Sequence, residues 1–468
     1  MIYGFGVVLA KGIGFFLLPV FTRIYSPAEY GTIEMLGVIT SFVSALLVMG
    51  LDSAQSFYFF EQKARGRAEQ ARLISAILQW RLTWGMAIVI VATLATPLLE
   101  ALFFNAHLGW GSFAAAFVGA LFTQVMSQSV EVFRLLYRPW PYVLVTLAHS
   151  AGAGALVLIL VLGFDQGIFG YFAGSMLASA CVAGVGWWLA RDYLDFTRLQ
   201  RDWWPRLLRF GVPLVPAGLA MFVMNTCDRW FVQHYQGDEA LGLYAVGAKF
   251  ALVVALAIET FRKAWWPIAM DAMYSDDGPE TYRTLARMFM GVGVAAVVYL
   301  SFVSPWLVVW LTAPAFHSAW PIVGVLAWQS LLYGFYLIAS AGIWKVEKTS
   351  YSMYLMAAAA TLNLALNWLL TPSYGGMGAA LATVTSYLVW IAATLVLSEK
   401  LWPVGFPIFL LTAQVALGAV CVAWVTLAGA DSWLVGPAVH AAVLLLLGSA
   451  LDRRGWAALL RRGRLANV

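Results

Sequence analysis

Four ionisable side chains, Lys11, Asp228, Arg229 and Lys249, lie inside stretches that are otherwise apolar. An ionisable group at bilayer depth costs about 2.5–3.5 kcal/mol on the gentlest insertion scale, so it usually faces a protein interior or a watery cavity. Three of the four are cationic, which points to binding of an anion; arginine adds a forked geometry that matches a phosphate. Lys11 falls near the middle of the first apolar run, Arg229 toward the outer end of the seventh and Lys249 in the outer half of the eighth. Together they predict a cationic path from the midplane outward. A structural reading competes: Asp228 with Arg229, Lys249 with Asp228, and Lys11 with a carboxylate of the second run.

Carboxylates and polar stripes supply further candidates. Glu34 and Asp52 are 18 residues apart, which is five helical turns, so they share a face. Along that face run Val38, Ser41, Ala45 and Val48, small enough for a cavity lining or for close helix packing. Glu34, Asp52, Asp228 and Glu259 are candidates for binding a coupling proton or sodium ion, or are structural partners at helix ends. Gln124, Gln128 and Glu131 recur at i, i+4, i+7, and Gln329, Tyr333, Tyr336 and Ser340 follow helical spacing. Asn225 lies one turn before the Asp228–Arg229 pair, and Asn363 and Asn367 share a face further on. Such stripes either line a polar cavity or bond helix to helix.

The elements that position these groups are membrane spans. The chain is 62% hydrophobic and 11% charged, against about 25% charged in soluble domains. Apolar runs of spanning length recur throughout, and no soluble domain is left when they are removed. Fourteen spans are predicted, at about 2–22, 31–60, 74–102, 112–136, 141–163, 167–190, 210–233, 241–264, 288–311, 320–344, 350–371, 377–398, 404–428 and 433–451. The second and third are long enough to be broken, and the last pair is short enough to be a re-entrant hairpin. The first run lacks the basic leader and cleavage site of a signal peptide.

Loops after even-numbered spans are basic, whereas those after odd-numbered spans carry one cation, Arg23. This asymmetry predicts cytoplasmic termini. Outer loops are all short. Phe5-Gly6-Val7-Val8-Leu9 recurs as Phe210-Gly211-Val212-Pro213-Leu214, and Glu29-Tyr30-Gly31 as Glu239-Ala240-Leu241-Gly242. The offset implies a parallel repeat of six helices. The expected organisation is an all-α integral membrane protein: an N-lobe at 1–190, a linker at 191–209, a C-lobe at 210–398, and two extra helices with a basic tail at 399–468. Trp203, Trp204 and spaced arginines predict that the linker is a helix lying on the inner surface. Trp456 and Leu459-Leu460 among arginines give the tail the same character, resting on anionic lipid.

Four stretches, in order, resemble a known family. They are Lys11-Gly12 through Pro19 and Thr22-Arg23 with Ser26–Gly31; Phe210–Pro216 with Asp228-Arg229-Trp230-Phe231; Gly242–Ala245 with Lys249-Phe250, Phe261, Ala264-Trp265 and Pro267; and Asn363 and Asn367 with Gly375–Ala380 and Ala382-Thr383. Over about residues 1–400 the chain resembles the Wzx-type polysaccharide flippases of the multidrug/oligosaccharidyl-lipid/polysaccharide exporter superfamily. The resemblance implies two six-helix lobes around a central cavity. It implies alternating access that carries a lipid-linked oligosaccharide, typically on undecaprenyl pyrophosphate, to the outer leaflet of a bacterial inner membrane. On this reading Lys11, Arg229 and Lys249 meet the pyrophosphate, while Asn225, Gln124, Gln128, Gln329, Tyr333 and Tyr336 line the glycan path. A polysaccharide polymerase or other export machinery is the expected protein partner.

Other classes fit less well. The Walker phosphate loop and the zinc-protease motif are absent from the sequence. The three cysteines and five histidines are scattered, so no cofactor or metal is expected, and net charge +5 reflects topology, not nucleic-acid binding. A cation-coupled drug antiporter of the same superfamily predicts an acidic cavity. A membrane-embedded glycosyl- or acyltransferase needs an external loop larger than any here. A purely structural scaffold does not account for Lys11.

Overall fold

The computed structural model describes residues 2–450 apart from 64, 106, 198, 349 and 430–433. The tail 452–468, expected on the lipid surface, lies outside the described residues. Backbone N–H and C=O groups find no water in hydrocarbon, so each span must bond within itself; accordingly no strand occurs among the described residues. The helices are α1 (Ile2–Ile24), α2 (Pro27–Val48), α3 (Leu51–Lys63), α4 (Arg67–Leu94), α5 (Thr96–Phe103), α6 (Gly109–Leu135), α7 (Pro139–Leu158) and α8 (Gly167–Leu189). There follow α9 (Trp204–Gly211), α10 (Val215–Tyr274), α11 (Gly278–Leu311), α12 (Trp320–Ala339), α13 (Ala341–Lys345), α14 (Ser350–Leu401), α15 (Ile408–Ala428) and α16 (Val435–Ala450).

Eleven of the helical stretches are long and apolar enough to cross a membrane. Two of them, α10 and α14, each join two spans through a single glycine, Gly237 (φ 83°) and Gly375 (φ 56°). With the shorter α16 the count reaches the expected fourteen. The second span is broken into α2 and α3, and α4 is followed by the separate short helix α5. Gly375 suits its kink for two reasons: its φ is positive, and a Cβ there would meet the Gln236 side-chain amide.

The chain forms two compact units. One comprises the residues up to Phe21 and Ala28–Phe222; the other comprises Thr22–Pro27 and the residues from Val223 onward. The division falls inside α10, thirteen residues beyond the 209/210 boundary expected from the repeat.

In the first unit, α2 and α3 meet at two consecutive left-handed residues, Met49 (φ 44°) and Gly50 (φ 67°). This break packs backbone against backbone on Gly211 at the end of α9: a Cβ on Gly50 would stand 2.5 Å from the Gly211 carbonyl oxygen. Gly50→Ala is therefore expected to cost the left-handed strain of about 1–2 kcal/mol plus a displacement of α9. Gly66→Ala, at φ 94° with open space around its Cβ, should show the strain alone. Thermal unfolding of the two variants in detergent separates them, with Gly50→Ala melting lower.

The 191–209 segment is not the single surface helix that its composition suggests. It makes two short 3-10 turns, Arg191–Tyr193 and Arg201–Trp203, and becomes α-helical only at Trp204. The Asp195 carboxylate accepts from the Thr197 amide at 3.1 Å, a local turn that competes with helix. Side chains and backbone of α4 take the donors that a helix would have satisfied. Asp195 N donates to Ser75 Oγ (2.7 Å), Gln200 N to Gln79 Oε1 (2.8 Å) and Trp204 Nε1 to the Ala76 carbonyl (3.2 Å). Ion pairs Arg67–Asp192 (3.0 Å) and Arg206–Glu61 (2.7 Å) complete this strap across α3 and α4.

Candidate functional site

Each unit holds a buried polar centre built on sequence-predicted residues. In the second unit the centre starts on α10. Asn225, Asp228 and Arg229 stand at i, i+3 and i+4, so one face carries all three. Asp228 is 4% exposed. Its carboxylate accepts from the Tyr244 hydroxyl on the C-terminal half of α10, from the Arg229 backbone amide at 2.9 Å, and from Arg229 Nη1 at 3.3 Å. Arg229 Nη1 also donates to the Asn225 carbonyl at 2.9 Å. The Asn225 side-chain oxygen collects two donors from other helices, Gln329 Nε2 of α12 (2.9 Å) and Tyr387 Oη of α14 (2.8 Å).

This network continues along α14. Cys227 Sγ donates to Asn363 Oδ1 at 2.9 Å, and Asn367 Nδ2 donates to the Asn363 carbonyl at 2.9 Å. Asn363 Nδ2 reaches Thr383 Oγ1 at 3.4 Å. Tyr336 of α12 stacks on Trp390, ring centroids 4.5 Å apart. The second unit thus gathers Asn225, Asp228, Arg229 and Gln329 into one bonded cluster, and Cys227, next to Asp228 in the chain, joins a second one with Asn363 and Asn367. The arginine and aspartate of the first cluster pair with each other. Lys249 and Tyr333 are half-buried in the same unit. The side chain of Glu259 lies outside the described residues.

In the first unit the centre lies where α3, α4 and α6 meet. Arg81, 1% exposed in the middle of α4, donates one terminal nitrogen to Asp52 Oδ1 and the other to the Gln124 carbonyl at 2.7 Å. The Asp52 side chain is 44% exposed. One turn along α3, Ser56 Oγ donates to Glu131 Oε1 at 2.8 Å, and Arg134 Nε binds Glu131 Oε2 at 2.8 Å. Gln128 is fully buried and donates to the Ile74 carbonyl at 3.1 Å, so it joins α6 to α4. Gln124 enters the centre through its backbone oxygen. Glu34 is half-buried on α2. Lys11 is exposed on α1 and has no ion-pair or hydrogen-bond partner among the described residues.

Sequence reasoning overlooked Arg81, Tyr244 and Tyr387. A signal existed for Arg81: it is a lone charge in a long apolar run, as Lys11 is. The two tyrosines carry none, since tyrosine is common at span ends for interfacial reasons.

A family model described as polysaccharide biosynthesis protein matches residues 1–273. Among curated proteins the chain is similar to "Lsg locus putative protein 1" of Haemophilus influenzae, 23% identical over 279 residues, 58% of this chain. That match spans 65% of the relative, just under two thirds of its length. Among solved structures, a lipid II flippase MurJ in an inward closed conformation superposes with TM-score 0.74 at 14% identity, covering 95% of this chain and 97% of that one. An inward-facing multidrug resistance MATE family transporter of the MOP superfamily superposes with TM-score 0.69 at 14% identity, over 85% of this chain and 95% of that one. At such identities the superpositions establish the fold.

Proposed function

We propose that this chain, which belongs to the polysaccharide biosynthesis protein family, moves a lipid-linked oligosaccharide from the inner to the outer leaflet of a bacterial cytoplasmic membrane by alternating access. Lys11 carries this reading. It lies about 14 Å along α1 from its first residue, exposed and without an ion-pair partner among the described residues. A lysine at that depth requires water or an anion. A pyrophosphate crossing the membrane is such an anion, and an ammonium is a suitable point charge for it. The passenger's sugars need hydrogen-bonding groups, for which Asn225, Gln329 and Tyr333 are the candidates of the second unit.

Transport draws on an ion gradient, of protons or sodium, with both termini on the cytoplasmic side where the basic loops lie. The expected protein partner is a polymerase or other export machinery that takes the glycan at the outer leaflet. A drug antiporter shares the fold, but a cationic drug calls for an uncompensated acid. The three acids of the described centres, Asp52, Glu131 and Asp228, instead bind arginines.

The test is reconstitution with a fluorescent undecaprenyl-pyrophosphate oligosaccharide, read by accessibility of its sugar to an external lectin. Lys11→Ala should lower flipping at least tenfold and Lys11→Arg should retain most of it. Full flipping by Lys11→Ala, or efflux of a cationic dye with no flipping, sinks the proposal.

A further inference from the structure

Two arginines at neighbouring helix ends of the first unit have no acid to match them. Elsewhere on this face Arg67 pairs with Asp192, Arg72 with Glu69, Arg134 with Glu131 and Arg206 with Glu61. Arg138, in the turn from α6 to α7, is exposed and has no ion-pair or hydrogen-bond partner among the described residues. Its backbone is nevertheless fixed. Tyr137 turns the chain at φ 55°, and the Arg138 amide donates back to the Phe133 carbonyl at 2.9 Å. Arg191, just past α8, is exposed and bonds its own helix end. Its Nη1 donates to the Trp188 carbonyl at 3.3 Å, and its guanidinium lies 4.9 Å from the centroid of the Trp188 ring.

The two arginines stand at about one level. α7 and α8 run antiparallel, with Val145 against Gly186, Gly152 against Ala178 and Val157 against Gly174. Five residues beyond the Val145–Gly186 contact, the helices reach Trp140 and Arg191, and Arg138 lies two residues past Trp140. Beside the seam each helix presents an exposed stripe. On α7 it is Trp140, Leu144 and Ala148; on α8 it is Trp188, Gly184 and Cys181. Each stripe lies about a quarter turn from the contact residues, and in an antiparallel pair both turn to the same side. The result is a groove with two tryptophans at its rim, 64% and 60% exposed, and small residues behind them. A Cβ on Gly184 would have no atom within 4 Å, so the groove is open there.

We propose that this α7–α8 groove binds an anionic phospholipid of the leaflet on the side of the basic loops. Arg138 and Arg191 take the phosphate, for which a guanidinium offers two parallel donors. Trp140 and Trp188 sit at headgroup level, where an amphipathic ring is favoured. One acyl chain runs along Leu144, Ala148 and Gly184. Charge decides the occupant. Basic groups between helix ends on the cytoplasmic side attract the anionic lipids of that leaflet. A zwitterionic lipid brings the same phosphate already balanced by its own ammonium. The bound lipid supplies the anion that the chain itself does not, and it ties the α6–α7 turn to the end of α8. The site serves a resident lipid and does not depend on what the transporter carries.

The experiment offers the full-length protein in mild detergent equal amounts of phosphatidylglycerol and phosphatidylcholine, and counts retained lipids by native mass spectrometry. The native chain should prefer phosphatidylglycerol about thirtyfold, the effect of two arginines beside an anionic headgroup. Arg138→Gln/Arg191→Gln should remove most of that preference. Gly184→Leu fills the groove without touching charge and should lower retention of phosphatidylglycerol. Arg209→Gln, an exposed position on α9 away from the groove, should change neither. Equal retention of the two lipids by the native chain overturns the proposal, as does full retention by the double variant or by Gly184→Leu. A loss in Arg209→Gln as large as in the double variant also overturns it, since the attraction would then belong to the whole basic face. None of these outcomes is read by lectin-detected flipping, so failure here and failure of the flippase reading are distinguishable.

Discussion

Asp228→Ala is expected to be the most damaging single substitution in the second unit. The carboxylate is nearly sealed and holds three donors: the Tyr244 hydroxyl, the Arg229 amide and the Arg229 guanidinium. Tyr244 is itself fully buried, so its hydroxyl loses its acceptor where no water replaces it. Arg229 keeps its charge without the compensating acid. Removing one partner of a buried pair costs about 3–5 kcal/mol. Asp228→Asn preserves an acceptor for Tyr244 and should cost about 1–3 kcal/mol, the usual range for a polar group left imperfectly bonded. Tyr244→Phe should be milder still, because the acid keeps both Arg229 donors. Melting temperatures of the purified variants should fall in that order, with membrane abundance following. Equal melting of Asp228→Ala and Tyr244→Phe would show that the guanidinium does not depend on the acid.

The second large effect is an asymmetry in the first unit. Asp52→Ala and Arg81→Leu break the same ion pair, yet their costs should differ by more than twofold. Asp52→Ala strands a guanidinium at 1% exposure and should cost about 3–5 kcal/mol. Arg81→Leu leaves a carboxylate at 44% exposure, which water solvates in place. It should cost about 1–2 kcal/mol, the loss of a charged hydrogen bond. Thermal unfolding in one detergent compares the two directly. If Arg81→Leu is the worse variant, the arginine contributes packing through its stem more than charge, and the junction is a structural staple.

These expectations rest on pairings that sequence could suggest but not select. The Asp228–Arg229 pair was one of two readings for adjacent charges, and the bonded geometry favours it over a free cation. Arg81 shows where reading by composition fails. Arg67 and Arg72 lie at the start of the same helix, and a tally of loop charges stops at them and passes over Arg81 in its apolar middle. The linker failed for a different reason. Its tryptophans and arginines do have interfacial character, but Ser75 and Gln79 of α4 capture its backbone amides, and no local pattern within 191–209 announces that. The polar stripe Gln124–Gln128–Glu131 was legible as a stripe. Its use was not: Gln124 contributes a backbone oxygen, Gln128 bonds to α4, and Glu131 bonds to α3 and to Arg134.

By itself the sequence determined the fourteen apolar spans and their helical character. Hydrocarbon obliges every span to satisfy its own backbone, so each carries a local signature. Only the tertiary structure decided which charges are neutralised. Arg81 meets an acid 29 residues away, and Asn225 meets a tyrosine 162 residues away. Such pairings depend on how each helix is rotated about its axis against its neighbours. That rotation is set by side-chain packing over the whole unit, and a span's own residues do not encode it.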